Sequence, residues 1–78
     1  MATVLFFAQA RDATGTKTAD VDGATVGAVI DGALARFGAP LERILPHCKV
    51  WVNGEPADRS TAVAERDEVA LLPPVSGG

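Results

Sequence analysis

Apolar residues cluster along this chain in short blocks separated by polar turns. The stretch from Thr3 to Gln9 is one apolar run carrying Val4, Phe6 and Phe7, and its length and bulk predict a strand. Arg11-Asp12-Ala13-Thr14-Gly15-Thr16 is polar and contains a glycine, which predicts a turn. Lys17 to Val21 alternates weakly and predicts a second strand, ended by Asp22-Gly23. Residues 25–37 give the clearest helix. Val26, Val29, Ile30, Ala33, Leu34 and Phe37 fall on one helical stripe. Thr25 is placed to cap its start, Arg36 sits in the last turn, Gly38 is set to end it and Pro40 to block extension. Gly27 and Gly32 each weaken that helix by roughly 1 kcal/mol relative to alanine, so packing must hold it.

Ala39 to His47 reads as a loop with at most one helical turn at residues 41–45, closed by Pro46. Val50-Trp51-Val52 is a third strand, and Asn53-Gly54 is a tight-turn signal. Pro56 to Thr61 reads as loop or edge. Glu65-Arg66-Asp67 is a polar turn before a final strand over Glu68–Leu72. The order strand, strand, helix, strand, strand predicts an α+β fold: a mixed sheet with one main helix packed on one face. The pattern resembles the β-grasp, or ubiquitin-like, roll, which implies parallel first and last strands side by side in the centre. Residues 1–72 would be the β-grasp domain and 73–78 a flexible extended C-terminal tail.

Alternation along the strands sorts the apolar side chains into two sets. The helix can cover Val4, Phe6, Val50, Val52, Val69 and Leu71. Leu5, Phe7, Trp51 and Leu72 are then left on the outer face. Either loops cover them, or they form a docking surface for a partner; contiguity with the tail favours the second.

Composition narrows the possible roles. The 78 residues make one domain, and 47% hydrophobic content suits a packed core. A net charge of −3 with scattered Lys and Arg argues against nucleic acid, and suggests a basic groove on a partner protein. One cysteine excludes an internal disulfide and a thiolate cluster, and fits a reducing compartment. No basic leader and no membrane-length apolar run is present, so a cytoplasmic location is expected.

The end of the chain carries the candidate chemistry. Pro73-Pro74 holds the backbone extended, and Leu72 is biased the same way by the proline after it. Gly77 and Gly78 have no Cβ and can thread a narrow channel. Six residues, Pro73 to Gly78, can reach roughly 20 Å when extended.

Val4-Leu5-Phe6-Phe7-Ala8-Gln9-Ala10-Arg11, the Gly15 turn, Val52-Asn53-Gly54 and the stretch Asp67 to Gly78 resemble the small subunit of molybdopterin synthase. Phe-Phe-Ala-Gln at the start combined with Pro-Pro-Val-Ser-Gly-Gly at the end is the specific part. Leu71-Leu72 departs from the aromatics often found there. The resemblance implies a sulfur carrier, not catalytic alone. An E1-like enzyme would adenylate Gly78 with ATP, and a persulfide donor would yield a thiocarboxylate. The carrier would then donate sulfur to cyclic pyranopterin monophosphate on the large subunit, in a heterotetramer. Pro73, Pro74, Val75, Ser76 and Gly77 would thread the tail, and Leu5, Phe7, Arg11, Trp51 and Leu72 would dock. No bound cofactor, metal, nucleic acid or membrane is expected. Alternatives are a related carrier for thiazole, cysteine or tRNA thiolation, or a β-grasp binding module with no tail chemistry. Cys48 reads as a packing residue, His47 as a loop residue, and Asp67 with Glu68 as a solvated turn.

Overall fold

In the computed structural model, which describes residues 1–74, two strands form the spine of the molecule. β1 (Ala2–Phe6) and β5 (Glu68–Leu72) run parallel at the centre of a five-stranded sheet of order β2-β1-β5-β3-β4. β2 (Thr18–Val21) pairs antiparallel with β1, and β3 (Lys49–Val52) pairs antiparallel with β5. The predicted mixed sheet and central parallel pair are therefore present. β4 (Glu55–Pro56) adds a fifth strand of two residues. It falls where loop or edge was expected, and a proline is tolerated there because the strand lies on the sheet margin.

The main helix, α2 (Val26–Phe37), matches its predicted span. Thr25 Oγ1 accepts a hydrogen bond from the Ala28 N–H at 3.2 Å. The Gly38 N–H closes the far end on the Leu34 carbonyl at 2.8 Å, with φ of 73°. Val26, Val29, Ile30 and Ala33 are buried on the sheet face formed by Val4, Phe6, Val69 and Leu71. Val50 and Val52 pack partly buried against this core, as do Leu34 and Phe37. Phe37 meets Phe6 edge-to-face, with ring centroids 5.3 Å apart. The inner set read from alternation is thus the core set.

Two helices replace predicted irregular segments. The first strand stops at Phe6, not Gln9. Ala8 adopts a φ of 48°, which ends the extended backbone, and α1 (Gln9–Thr14) follows where a turn was expected. Gly15, in the left-handed conformation, closes α1 on the Arg11 carbonyl. α3 (Ala39–Ile44) occupies most of the expected loop; it overlaps the single helical turn expected at 41–45 but starts two residues earlier, ahead of Pro40. Pro40 lies in its first turn, where a missing N–H costs nothing, so it opens a helix instead of only ending one. A 3₁₀ turn over Leu45–His47 then leads into β3. Asn53 and Gly54 have φ of 50° and 83°, as a two-residue hairpin between β3 and β4 requires.

Candidate functional site: the tail exit and the outer sheet face

Because β1 and β5 are parallel, both end at the same pole of the sheet. Leu72, the last residue of β5, pairs with Lys49, the first of β3. Pro73 is buried and Pro74 exposed. The first residue past the strand is therefore still packed against the domain. His47, Lys49, Trp51, Leu72, Pro73 and Pro74 line a groove of about 280 Å³ beside the point where the chain leaves the sheet. Val75, Ser76, Gly77 and Gly78, the rest of the expected threading segment and the expected reacting carboxylate, lie outside the described residues.

The register builds the outer face without further assumption. Leu5 lies opposite Ala70, and Ala70 opposite Trp51, which in turn faces Pro56. Leu5, Ala70, Trp51 and Leu72 are all half-buried, on the face opposite α2. Ala70 is inconspicuous in the sequence, although it shares the strand parity of Leu72. Phe7 is 44% exposed. It lies beyond the end of β1, so strand alternation, which placed it with Leu5, does not assign its face. Arg11 is exposed on α1, the element that follows the end of β1 at the tail-exit pole.

The remaining candidates hold structural positions. The Cys48 thiol donates to the Ile44 carbonyl at 3.3 Å, and burial pushes its pKa up from the ordinary 9.0. That combination keeps it a protonated packing group. Asp67 accepts from the Ala64 N–H at 2.8 Å and from Asn53 Nδ2 at 2.9 Å, so its turn is an ordered lock. His47 is exposed and borders the groove. Among the described residues no helix is long and apolar enough to cross a membrane.

A β-grasp body whose central last strand runs directly into Pro-Pro, on a chain ending Gly-Gly, defines the class of small ubiquitin-like sulfur carriers. The chain belongs to the ThiS family, whose model matches residues 4–78. It is 40% identical over 82 aligned positions to small archaeal modifier protein 1 of Haloferax volcanii, covering 92% of this chain and 94% of that protein. A crystal structure of SAMP1 from the same organism superposes with a TM-score of 0.84 at 38% identity, over 99% of this chain and 98% of the other. The molybdopterin synthase sulfur carrier subunit of Arabidopsis thaliana is 35% identical over 78 positions, covering 96% of this chain and 80% of that protein. One chain of the Amycolatopsis orientalis BexX/CysO complex matches with a TM-score of 0.85 and 28% identity, each chain covered completely.

Proposed function

We propose that this chain is the sulfur-carrier subunit of a molybdopterin synthase, and that Gly78 is its reacting group. The observation that carries the reading is the aim of the tail. The parallel β1–β5 pair delivers Pro73-Pro74 from the rigid centre of the sheet, beside an apolar outer face. A carboxylate is a poor acyl donor. Adenylation by an E1-like partner, with release of pyrophosphate from ATP, supplies AMP as a leaving group. The outer sulfur of a persulfide donor displaces it to give an acyl disulfide. A second thiol cleaves that S–S bond, leaving the thiocarboxylate on Gly78 and a disulfide on the donor. The thiocarboxylate is a soft nucleophile on a large handle. Once the outer face docks on the large synthase subunit, transfer to cyclic pyranopterin monophosphate is effectively intramolecular. The 35% identity to a molybdopterin synthase carrier over nearly the whole chain supports this assignment.

A second reading has its own support. The 40% identity to an archaeal modifier and the likeness to a chain of the BexX/CysO complex suit a carrier that hands the same activated carboxylate or sulfur to another acceptor. The two share the charging step and differ in the acceptor. Intact mass after incubation with the adenylating enzyme, ATP and a sulfur source should rise by the exchange of one oxygen for sulfur on Gly78. The variant lacking Gly78 should show no gain while keeping its folded spectrum. An unchanged mass for the full chain rejects the carrier reading. Conversion of the pterin substrate by the charged chain with the large subunit separates the first reading from the second.

A further inference from the structure

The net charge of −3 conceals a separation of charge along the strand axis. At the pole where β1 and β5 end, the register and the adjoining segments collect three exposed cations. Lys49 lies opposite Leu72. Lys17 offers its carbonyl to the Phe6 N–H at 2.8 Å. Arg11 lies on α1, which follows β1 directly. Asp12 is the one carboxylate in these segments, and Glu42 and Arg43 of α3 offset each other. At the opposite pole, Asp22 follows β2, Glu55 closes the β3–β4 turn, and Glu65, Asp67 and Glu68 lead into β5. Arg66 is the one cationic side chain among them.

We infer that Arg11, Lys17 and Lys49 form a cationic collar around the tail exit, fitted to an acidic rim around the tail-accepting cleft of the adenylating enzyme. The collar rests on the carrier reading, and it replaces the expectation of a basic partner groove, which came from net charge alone. It borders the half-buried apolar face of Leu5, Trp51 and Leu72, so it occupies the rim of the same surface. The acidic far pole turns the molecule end-on: a partner with an acidic rim attracts the tail pole and repels the other.

The test is the association rate of the full chain with the E1-like adenylating enzyme, monitored by stopped-flow fluorescence. The wild-type rate should fall as salt rises from about 0.01 M to about 1 M, where the screening length shrinks from roughly 30 Å to 3 Å. The triple variant Arg11→Glu, Lys17→Glu, Lys49→Glu should associate about tenfold or more slowly at low salt and converge with wild type at high salt. Arg66→Glu, an equal reversal at the far pole, should stay within about twofold. If the triple variant misfolds by circular dichroism, the pair Lys49→Glu and Arg66→Glu gives the same contrast. Equal slowing by Lys49→Glu and Arg66→Glu, or a salt-independent rate, overturns the collar. A mass gain on Gly78 without the predicted contrast overturns the collar alone. No mass gain overturns the carrier reading and, with no productive encounter to steer, the collar too.

Discussion

Asp67 joins three parts of the chain with one residue. Its Oδ1 accepts from Asn53 Nδ2 at 2.9 Å and its Oδ2 from the Ala64 N–H at 2.8 Å. Its backbone carbonyl accepts from the Thr3 N–H at 3.0 Å. Asn53 Oδ1 returns the contact by accepting from the Glu68 N–H at 2.9 Å. The start of β1, the start of β5 and the β3–β4 turn are thereby locked together. The Ala64 N–H and then the Asn53 amide favour the ionised form, so the Asp67 carboxyl titrates below its ordinary 3.8. A depressed folded pKa gives stability that is present above 3.8 and is lost as pH falls through the lower folded value. Asp58, held down by Ser60, acts in the same direction. The urea midpoint should therefore drop below about pH 4. Asp67→Asn should lower the midpoint at neutral pH and make the acid drop shallower. An acid slope identical to wild type would assign the drop to other groups. A sequence shows Asn53-Gly54 as a turn and Asp67 as polar, but it does not show that the two side chains meet across 14 positions.

At the scale of elements, periodic segments were legible and short ones were not. α2 has three turns of apolar stripe, a capping threonine and a terminal glycine, all pointing to one answer. α1 has six residues with Ala10 alone buried, so it has no stripe to read. Its onset depends on the positive φ of Ala8, a conformation that alanine does not announce. α3 was hidden by Pro40, whose meaning reverses with position: a stop for the helix before it, an opening for the one after it. β4 is two residues long and exists only through pairing with Trp51 and Val52. The glycines of α2 looked like weaknesses. A Cβ on Gly32 would come within 2.6 Å of Val21 Cγ1, which is buried and β-branched and has little room to move. Gly32 thus sets how closely α2 lies on β2. Gly32→Ala should lose stability despite a helix-propensity gain of about 1 kcal/mol, because overpacking costs about 1–3 kcal/mol. At Gly27 the nearest atoms, all of Arg59, stand at 3.2–3.4 Å. Gly27→Ala should therefore be nearly neutral. Urea unfolding of both variants checks the contrast, and a stabilised Gly32→Ala would mean the helix can back away from the sheet.

At the scale of the whole molecule, the two sheet faces differ in burial, and the proposed function assigns recognition to the more open one. Leu71 is fully buried on the α2 side, so Leu71→Ala should cost about 2–5 kcal/mol in unfolding experiments. Its neighbours in β5, Ala70 and Leu72, face the other way and remain half-buried, in register with Trp51 and Lys49. The alternation that exposes them is the same one that buries Leu71. It was readable from the strands alone, whereas the pole-to-pole charge separation needed the register and the helix placements. On the proposed function the apolar face and the collar act in different encounters, the collar on approach to the adenylating enzyme and the apolar face on the large synthase subunit. Long-range charge changes the association rate, while a desolvated apolar contact changes the dissociation rate. Trp51→Ala should therefore weaken binding to the large synthase subunit by about tenfold or more, mainly through faster dissociation, with a folded far-ultraviolet spectrum. Lys49→Glu, on the same strand and lining the same groove, should instead slow association with the adenylating enzyme and lose its effect in high salt. Surface plasmon resonance resolves the association and dissociation rates on each complex. If Trp51→Ala leaves the dissociation rate unchanged, the outer face is not the docking surface, and the tail must be recognised by its terminal segment alone.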